Sequence, residues 1–397
     1  MLTLDAMRGG AALAVVTYHA LGVAPRTATT GWEAFLPQAA AYTVHYAFAG
    51  IYLFFVISGF CIHLHWAKAR AAGIREPVID FFYFWKRRVR RLYPPYFAAL
   101  ALYLIFLAYK TPVPVTGFYL WDVLLHVFML HNIDLRTTYT INGAFWTLAI
   151  EEQLYLAYFL LLFLRIRFGW TRTLLITFSA RVVWLIIAYV LSASLGVHIP
   201  VTEAAATNWF IWALGALSVE AALGLIKLPR WCYRISMSGV ALGCAMALAQ
   251  LLPLVDQKGW IHDIGWLIMH PAWGVGFFVL VNYAVAAEQR WREKSTPVPR
   301  LIPSLASVGL MSYSLYLTHS FVLMHWYWFG FTRLHILTIS LLITTPLSVA
   351  FAWVFFRVFE RPFMTSTAVK AGPRINTDDF VNTDKSVLSV ANIYGNG

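Results

Sequence analysis

Residues 4–19, LDAMRGGAALAVVTYH, set an arginine and a histidine eleven residues apart in an otherwise apolar stretch. On an α-helix this separation is about three turns, so Arg8 and His19 lie ~20° apart around the axis and ~16 Å apart along it. Ionisable side chains on a membrane-length helix are costly, which makes each a candidate functional residue. In the alternative interpretation, Arg8 anchors the helix end in the membrane and His19 forms a hydrogen bond between helices.

The composition is that of a membrane protein. Of the 397 residues, 60% are hydrophobic and only 12% are charged, whereas soluble domains usually carry about 25% charged residues. The net charge of +12 is better explained by loops that face anionic lipid than by binding of nucleic acid. Cys61, Cys232 and Cys244 lack the spacing of a zinc site, so we predict neither a metal site nor a disulfide framework.

The apolar segments predict an all-α polytopic membrane protein with about ten transmembrane helices. Each segment can cross ~30 Å of hydrocarbon, and the runs are too long for the strands of a barrel. The first could instead be read as a cleaved signal peptide, but Asp5, Arg8 and His19 interrupt it. The segments are 4–23, 43–64, 93–109, 144–164, 173–195, 208–226, 235–254, 266–287, 307–329 and 334–359.

Basic residues in the loops predict the orientation. Eighteen lysines and arginines lie in one alternating set of loops and five in the other. The positive-inside rule therefore places both termini in the cytoplasm. Residues 1–364 are predicted to form one membrane domain, and the polar residues 365–397 a disordered cytoplasmic tail.

Further polar residues interrupt the apolar segments. Arg87, Arg88 and Arg91 precede two prolines at the start of the third segment. They either anchor the helix at the membrane surface or bind the phosphates of an anionic cytosolic substrate through arginine forks. Arg181 lies inside the fifth segment and needs an internal partner, for which Glu220 is a guess.

Two more segments carry polar side chains on helical faces. Glu151 and its neighbour Glu152 lie near the predicted outer end of the fourth segment, facing either water or a cavity. In the ninth, Ser312, Tyr316 and His319 follow the spacing i, i+4, i+7 and form a polar stripe, which a packing role would also explain. Ser58 lacks the GxSxG turn of a serine nucleophile, and its neighbouring glycine indicates close helix packing instead.

Six motifs in register resemble those of the acyltransferase-3 family, integral-membrane enzymes that O-acylate sugars and some secondary metabolites. Arg8 and His19 match its Arg/Lys-x10-His pattern, and Thr147 stands where the family usually has serine. The remaining motifs are residues 54–60 (FFxxSGF), 88–94 (RxxRLxP), 146–155 (WSLxxEExxYL), 312–319 (SYxxYLxH) and 360–362 (ExP).

The resemblance implies an acyltransferase that moves an acyl group, most simply acetyl, from acyl-CoA to a hydroxyl group. The acceptor would be a carbohydrate, a glycolipid or exopolysaccharide, or a macrolide-type metabolite. The enzyme would lie in the inner or plasma membrane, with acyl-CoA as co-substrate and no bound cofactor. It would use His19 as general base or acyl carrier, with Arg8, while Glu151 sets the tautomer of the histidine. Acyl-CoA or substrate would be bound by Arg87, Arg88, Arg91, Trp146, Ser312, Tyr316 and His319.

A membrane transporter or exporter of a lipid-linked or polyketide product is the alternative function. Intramembrane Arg181, Glu151 and His19 would suit a translocation path equally well. The chain, however, has no repeated halves and no paired broken segments, which many transporters show.

Overall fold

The computed structural model describes residues 1–23, 45–110, 116–196, 199–255, 260–326 and 339–364. Most of these residues are helical and none of them forms a strand, which confirms the all-α prediction. The predicted tail, 365–397, lies outside the described residues. The α-helices are α1 Leu2–Val23, α2 Gly50–Ala71, α3 Phe81–Lys110, α4 Gly117–Val127, α5 Trp146–Leu195, α6 Ala205–Ala222, α7 Ile235–Val255, α8 Trp260–Glu293, α9 Leu301–Leu310, α10 Ser312–Trp326 and α11 Thr345–Phe355.

Six of the described helices are long and apolar enough to cross a membrane, or seven if the bent pair α9–α10 counts as one span. Two predicted segments, 144–164 and 173–195, fall within the 50-residue α5, where Gly169 (φ 74°, ψ 173°) breaks the helix between them. The helices α1 and α6 are not among the six because polar side chains lower their hydropathy. The count of ten and the cytoplasmic termini stay predictions.

Glycines let two pairs of helices meet backbone to backbone. A methyl group added to Gly59 of α2 would overlap the carbonyl of Trp212, and one added to Gly215 of α6 would overlap that of Val56. Small residues at such crossings allow close packing between membrane helices. The α2–α6 contact therefore agrees with the packing role predicted for the Ser58–Gly59 pair. At a second crossing, Gly9 of α1 lies against the backbone of α9.

Two buried carboxylates hold the first turns of α1 and α10. Glu288, near the end of α8, accepts hydrogen bonds from the amide of Leu2 (3.1 Å) and from the amide (2.9 Å) and hydroxyl (2.6 Å) of Thr3. Glu360, after α11, accepts from the amide (3.1 Å) and hydroxyl (2.5 Å) of Ser314. Amides in the first turn of a helix lack helical partners, and the helix dipole favours a negative charge there. These contacts fix where α1 and α10 begin.

A buried ionic cluster joins α2, both halves of α5 and α6. The carboxylate of Glu220 accepts hydrogen bonds from Nε (2.9 Å) and Nη2 (2.7 Å) of Arg165. It also accepts from the indole of Trp170 (2.9 Å) and lies 3.0 Å from Nε2 of His63. Glu220 and His63 are fully buried, so these contacts replace the water that both groups lose on folding.

Arg181 has partners other than the one guessed from the sequence. Its Nη1 donates to the carbonyl of Thr207 (2.5 Å) and its Nε to the carbonyl of Leu267 (3.1 Å). The guess that Glu220 pairs with Arg181 is therefore corrected, since Glu220 contacts Arg165 in the preceding half of α5.

Replacing the central carboxylate of this cluster tests its contribution to stability. We expect Glu220→Ala to lower the free energy of unfolding by about 3–5 kcal/mol, because it leaves a largely buried arginine without its partner. The measurement is the thermal unfolding midpoint of the detergent-purified protein.

The matched control is Arg136→Ala, which also breaks an arginine–carboxylate pair, here with Asp134 (2.6 Å) on the exposed surface. Exposed pairs contribute little, so this variant should melt as the wild type does. Equal midpoints for the wild type and Glu220→Ala would contradict the assignment.

Candidate active site

A cavity of about 140 Å³ lies where α1, α2, α3, α5 and the bend between α9 and α10 meet. Three arginines and two glutamates line it, so its wall carries an excess of positive charge and suits an anionic ligand. Its polar lining consists of Arg8, Ser58, Cys61, Arg88, Arg91, Thr147, Glu151, Tyr155, Ser312, Tyr313, Tyr316 and Glu360.

Arg8 reaches the cavity from the second turn of α1. One guanidinium nitrogen donates to the carboxylate of Asp5 (3.1 Å), and the other to the sulfur of Cys61 on α2 (3.1 Å). The Asp5 contact joins residues one turn apart on the same helix, which aims the side chain across the α1–α2 interface. Arg8 is thus held with its charge at the cavity wall.

Glu151 lies in the first turns of α5 and faces the cavity. Its carboxylate accepts hydrogen bonds from the hydroxyls of Ser58 and Tyr155, the latter at 2.6 Å. The hydroxyl of Ser58 in turn accepts from the indole of Trp212 (3.3 Å). These contacts join α2, α5 and α6 around one carboxylate.

The structure does not bring Glu151 together with the histidine of α1, since the described hydrogen bonds of Glu151 are those with Ser58 and Tyr155. Just before α5, Phe145 packs against Tyr96 and Tyr103, with ring centroids 5.2 and 5.5 Å apart, so α5 begins beside the middle of α3. Glu151 consequently lies toward the basic start of α3, where the guanidinium of Arg88 is 5.5 Å from the ring centre of Tyr155. The carboxylate is placed to balance the cationic cavity wall.

His19 instead meets a second histidine. Its Nδ1 lies 3.2 Å from Nε2 of His319 on α10, and the ring centroids are 5.0 Å apart. His319 is fully buried, and its Nδ1 lies 2.8 Å from the carbonyl oxygen of Tyr316 and 3.2 Å from that of Leu315. His19 is half-buried. An imidazole can accept and release a proton near neutral pH, which makes His19 a candidate general base.

Tyr316 stands between the cavity and this histidine pair. Its hydroxyl contacts the hydroxyl of Thr147 (2.6 Å) and donates to the carbonyl of Ala144 (2.9 Å), while its ring centre is 5.7 Å from that of His319. Among the described residues that line the cavity, neither His19 nor His319 is present. The polar face of α10 therefore runs from Ser312 and Tyr316 in the cavity wall to His319 beyond it.

The residues predicted to bind acyl-CoA or substrate separate into two groups. Arg88 and Arg91 line the cavity, together with Ser312 and Tyr316. Arg87 is exposed beside the ring of Tyr83 (5.7 Å), and Trp146 packs against the apolar core. Within the described part of the chain, Arg87 and Trp146 are absent from the cavity lining.

Sequence reasoning did not single out as site residues six polar residues of the cavity wall, namely Ser58, Cys61, Thr147, Tyr155, Tyr313 and Glu360. The position of Tyr155, four residues after Glu151, was a usable signal because it places both side chains on one helical face. Cys61 follows Ser58 by three residues in the same way. Glu360 had a signal as the first residue of the ExP motif at 360–362, but only the tertiary fold shows that it reaches the cavity.

A metal centre has no support in the regions described here, where no group of three or more histidine, cysteine or carboxylate side chains is arranged to hold an ion. The three cysteines are free. Arginines, hydroxyls, carboxylates and a histidine pair are thus the groups from which the described residues can build a site.

Comparison with known proteins agrees with the motifs. The sequence is 25% identical over 338 residues to the O-acetyltransferase OatA of Staphylococcus aureus strains NCTC 8325 / PS 47 and COL, which covers 79% of this chain and 52% of each relative. The chain thus spans about half the length of the curated relatives it matches. No solved structure matches. Residues 1–357 match a family model described as an acyltransferase domain, and the chain therefore belongs to the acyltransferase-3 family.

Proposed function

We propose that the protein is a membrane O-acyltransferase that moves an acyl group, most simply acetyl, from acyl-CoA to a hydroxyl group. The acceptor is a carbohydrate, a glycolipid or exopolysaccharide, or a macrolide-type metabolite. The observation that carries the proposal is a cationic cavity lined by Tyr316, whose ring centre lies 5.7 Å from that of His319 in the histidine pair. The similarity to an O-acetyltransferase supports acetyl as the transferred group, and family membership favours an enzyme over a transporter.

The charge of the cavity wall supports an acyl-CoA donor. Arginine binds phosphate through two parallel N–H groups, and both Arg88 and Arg91 line the cavity near the start of α3. Pockets that hold a whole drug-sized ligand measure roughly 300–1,000 Å³, so a cavity of about 140 Å³ accepts only the acyl end of the donor. The nucleotide part of acyl-CoA then remains outside the cavity and contacts the exposed side chain of Arg91. The positive-inside rule favours the cytoplasm for this end, and we propose the inner or plasma membrane as the location of the enzyme.

The chemistry is assigned to His19. As general base it takes the proton of the acceptor hydroxyl while the oxygen attacks the thioester carbonyl. The carbon–sulfur bond then breaks, and the CoA thiolate leaves with the proton that the histidine held. The hydroxyl of Tyr316, which lines the cavity, donates to the carbonyl of Ala144 in the unliganded structure. It stabilises the charge that develops on the thioester oxygen once it exchanges that acceptor for the substrate. A transient acyl group on His19 is the second route compatible with the same contacts.

Arg8 and Glu151 act on the donor rather than on the histidine in this scheme. Arg8 places a permanent positive charge in the cavity wall, and Glu151 balances the charge of the arginines while it orients the hydroxyls of Ser58 and Tyr155. Both residues thereby shape the path along which the thioester travels.

Replacing the proposed base tests the reaction. We expect His19→Ala to lower acceptor-dependent release of CoA from acetyl-CoA by about 10²–10⁴-fold, which is the usual contribution of a general base. The measurement uses detergent-purified protein and a panel of sugar and macrolide hydroxyl acceptors.

His65→Ala is the matched control, because His65 is an exposed histidine on α2 away from the cavity. It should keep the wild-type rate. Full acyl transfer by His19→Ala would remove the histidine from the mechanism.

The donor site has its own test. Arg88→Gln and Arg91→Gln should each raise the KM for acetyl-CoA about tenfold, since a hydrogen bond to a charged group contributes about 1.5–3 kcal/mol. The readout is KM against kcat in steady-state kinetics.

Arg90→Gln removes the same charge from the same helix, but Arg90 is exposed and does not line the cavity within the described residues. We expect its KM to stay near the wild-type value. An equal rise in KM for all three variants would point to general surface charge instead of a donor site.

A further inference from the structure

The contacts of the histidine pair determine which ring nitrogen of His19 carries a proton. We infer that His319 is a positioning residue that holds His19 as its Nδ1–H tautomer and leaves Nε2 of His19 free to take the proton of the acceptor. The inference rests on the proposed function for its chemical consequence, but it is drawn from the hydrogen bonds of the two rings.

The first step concerns His319. Its Nδ1 lies 2.8 Å from the carbonyl oxygen of Tyr316 and 3.2 Å from that of Leu315. A carbonyl oxygen only accepts hydrogen bonds, so Nδ1 of His319 must carry the proton. A neutral imidazole carries one proton on its two nitrogens. Nε2 of His319 therefore presents a lone pair.

The second step transfers this constraint to His19. Nε2 of His319 lies 3.2 Å from Nδ1 of His19. Because Nε2 of His319 can only accept a hydrogen bond, Nδ1 of His19 must be the donor. The other ring nitrogen of His19, Nε2, therefore holds a lone pair. The backbone carbonyls of α10 thus select one tautomer for both rings.

No carboxylate contacts either ring within the described residues. The neighbouring titratable groups are phenols, with the ring centre of Tyr18 5.2 Å from that of His19 and the ring centre of Tyr316 5.7 Å from that of His319. The hydroxyl of Ser320 lies 3.3 Å from Nε2 of His319. A neutral imidazole therefore occupies the place that a carboxylate holds in a Ser-His-Asp triad.

This difference has a chemical consequence. In the triad the carboxylate both orients the base and stabilises its positive form, whereas neutral His319 can only orient it. During transfer, the acceptor proton moves to Nε2 of His19 and later to the leaving thiolate, while His319 keeps its own proton. The base remains neutral, and therefore active, to lower pH than it would beside a carboxylate.

Substitutions at position 319 separate orientation from charge. His319→Gln can place a carbonyl oxygen near the former Nε2 and keeps an acceptor, whereas His319→Leu removes it. We expect kcat to fall by about 10²–10⁴-fold in His319→Leu, with KM for acetyl-CoA unchanged, and to recover at least tenfold in His319→Gln. Equal loss in both variants, or a wild-type kcat in His319→Leu, would overturn the inference.

A third variant, His319→Glu, places beside His19 the negative charge that a carboxylate supplies in a Ser-His-Asp triad. The carboxylate stabilises protonated His19, so the acid limb of the pH–rate profile should move to higher pH by about one unit or more. An acid limb at the wild-type pH would contradict the inference, because a merely structural role does not move it.

Chemical modification provides a readout that needs no acyl transfer. Diethyl pyrocarbonate reacts with neutral imidazole, and mass spectrometry follows the modification of His19 with pH in each variant. We expect His19 to become reactive at higher pH in His319→Glu than in the wild type, while exposed His65 reacts identically in both and serves as the internal control. An unshifted His19 overturns the inference, and a shifted His19 in an enzyme that releases no CoA overturns the proposed function alone.

Discussion

The carboxylates of Glu288 and Glu360 each accept hydrogen bonds from the first turn of a helix that carries a histidine. Both carboxylates are buried, and each belongs to an element distant in sequence from the helix that it caps. An unpaired amide in an apolar interior is costly, so these contacts fix the positions of α1 and α10 along their axes. The meeting of His19 and His319 at 3.2 Å depends on that registration.

The site has two parts with different physical character. The cavity wall is cationic through Arg8, Arg88 and Arg91, which suits a ligand with phosphate groups. The histidine pair lies beyond Tyr316, where the nearby hydrogen-bonding groups are hydroxyls and backbone carbonyls. Such a division lets the charged end of a donor bind strongly without its charge reaching the base, where it would favour the protonated and inactive form of the imidazole.

Much of the fold could be predicted from the sequence because the hydrophobic pattern that determines it is local. The break at Gly169 falls between two predicted segments, and the face shared by Ser312, Tyr316 and His319 follows from helical spacing alone. The partners of buried ionisable groups could not be predicted in this way. Arg181, for example, binds backbone carbonyls, which leave no signal in the sequence.

The position of Glu151 shows the same limit. Glu151 lies near the start of an apolar segment. The sequence therefore predicts that it lies near the outer membrane surface, if the segment begins at the membrane boundary. In the structure, Phe145 packs against the middle of α3, and Glu151 lines the same cavity as Arg88. Tertiary packing sets how two helices are offset along their axes, whereas the spacing of residues along one helix sets which of them share a face.

The most direct test of this account is a structure of the full chain bound to an unreactive acetyl-CoA analogue in which the sulfur is replaced by methylene. We expect the phosphates to contact Arg88 and Arg91, with the acyl carbonyl within hydrogen-bond reach of the Tyr316 hydroxyl and facing His19. The account would be contradicted if the analogue bound outside this cavity. It would also be contradicted if the acyl carbonyl lay beyond Arg8, out of reach of the Tyr316 hydroxyl.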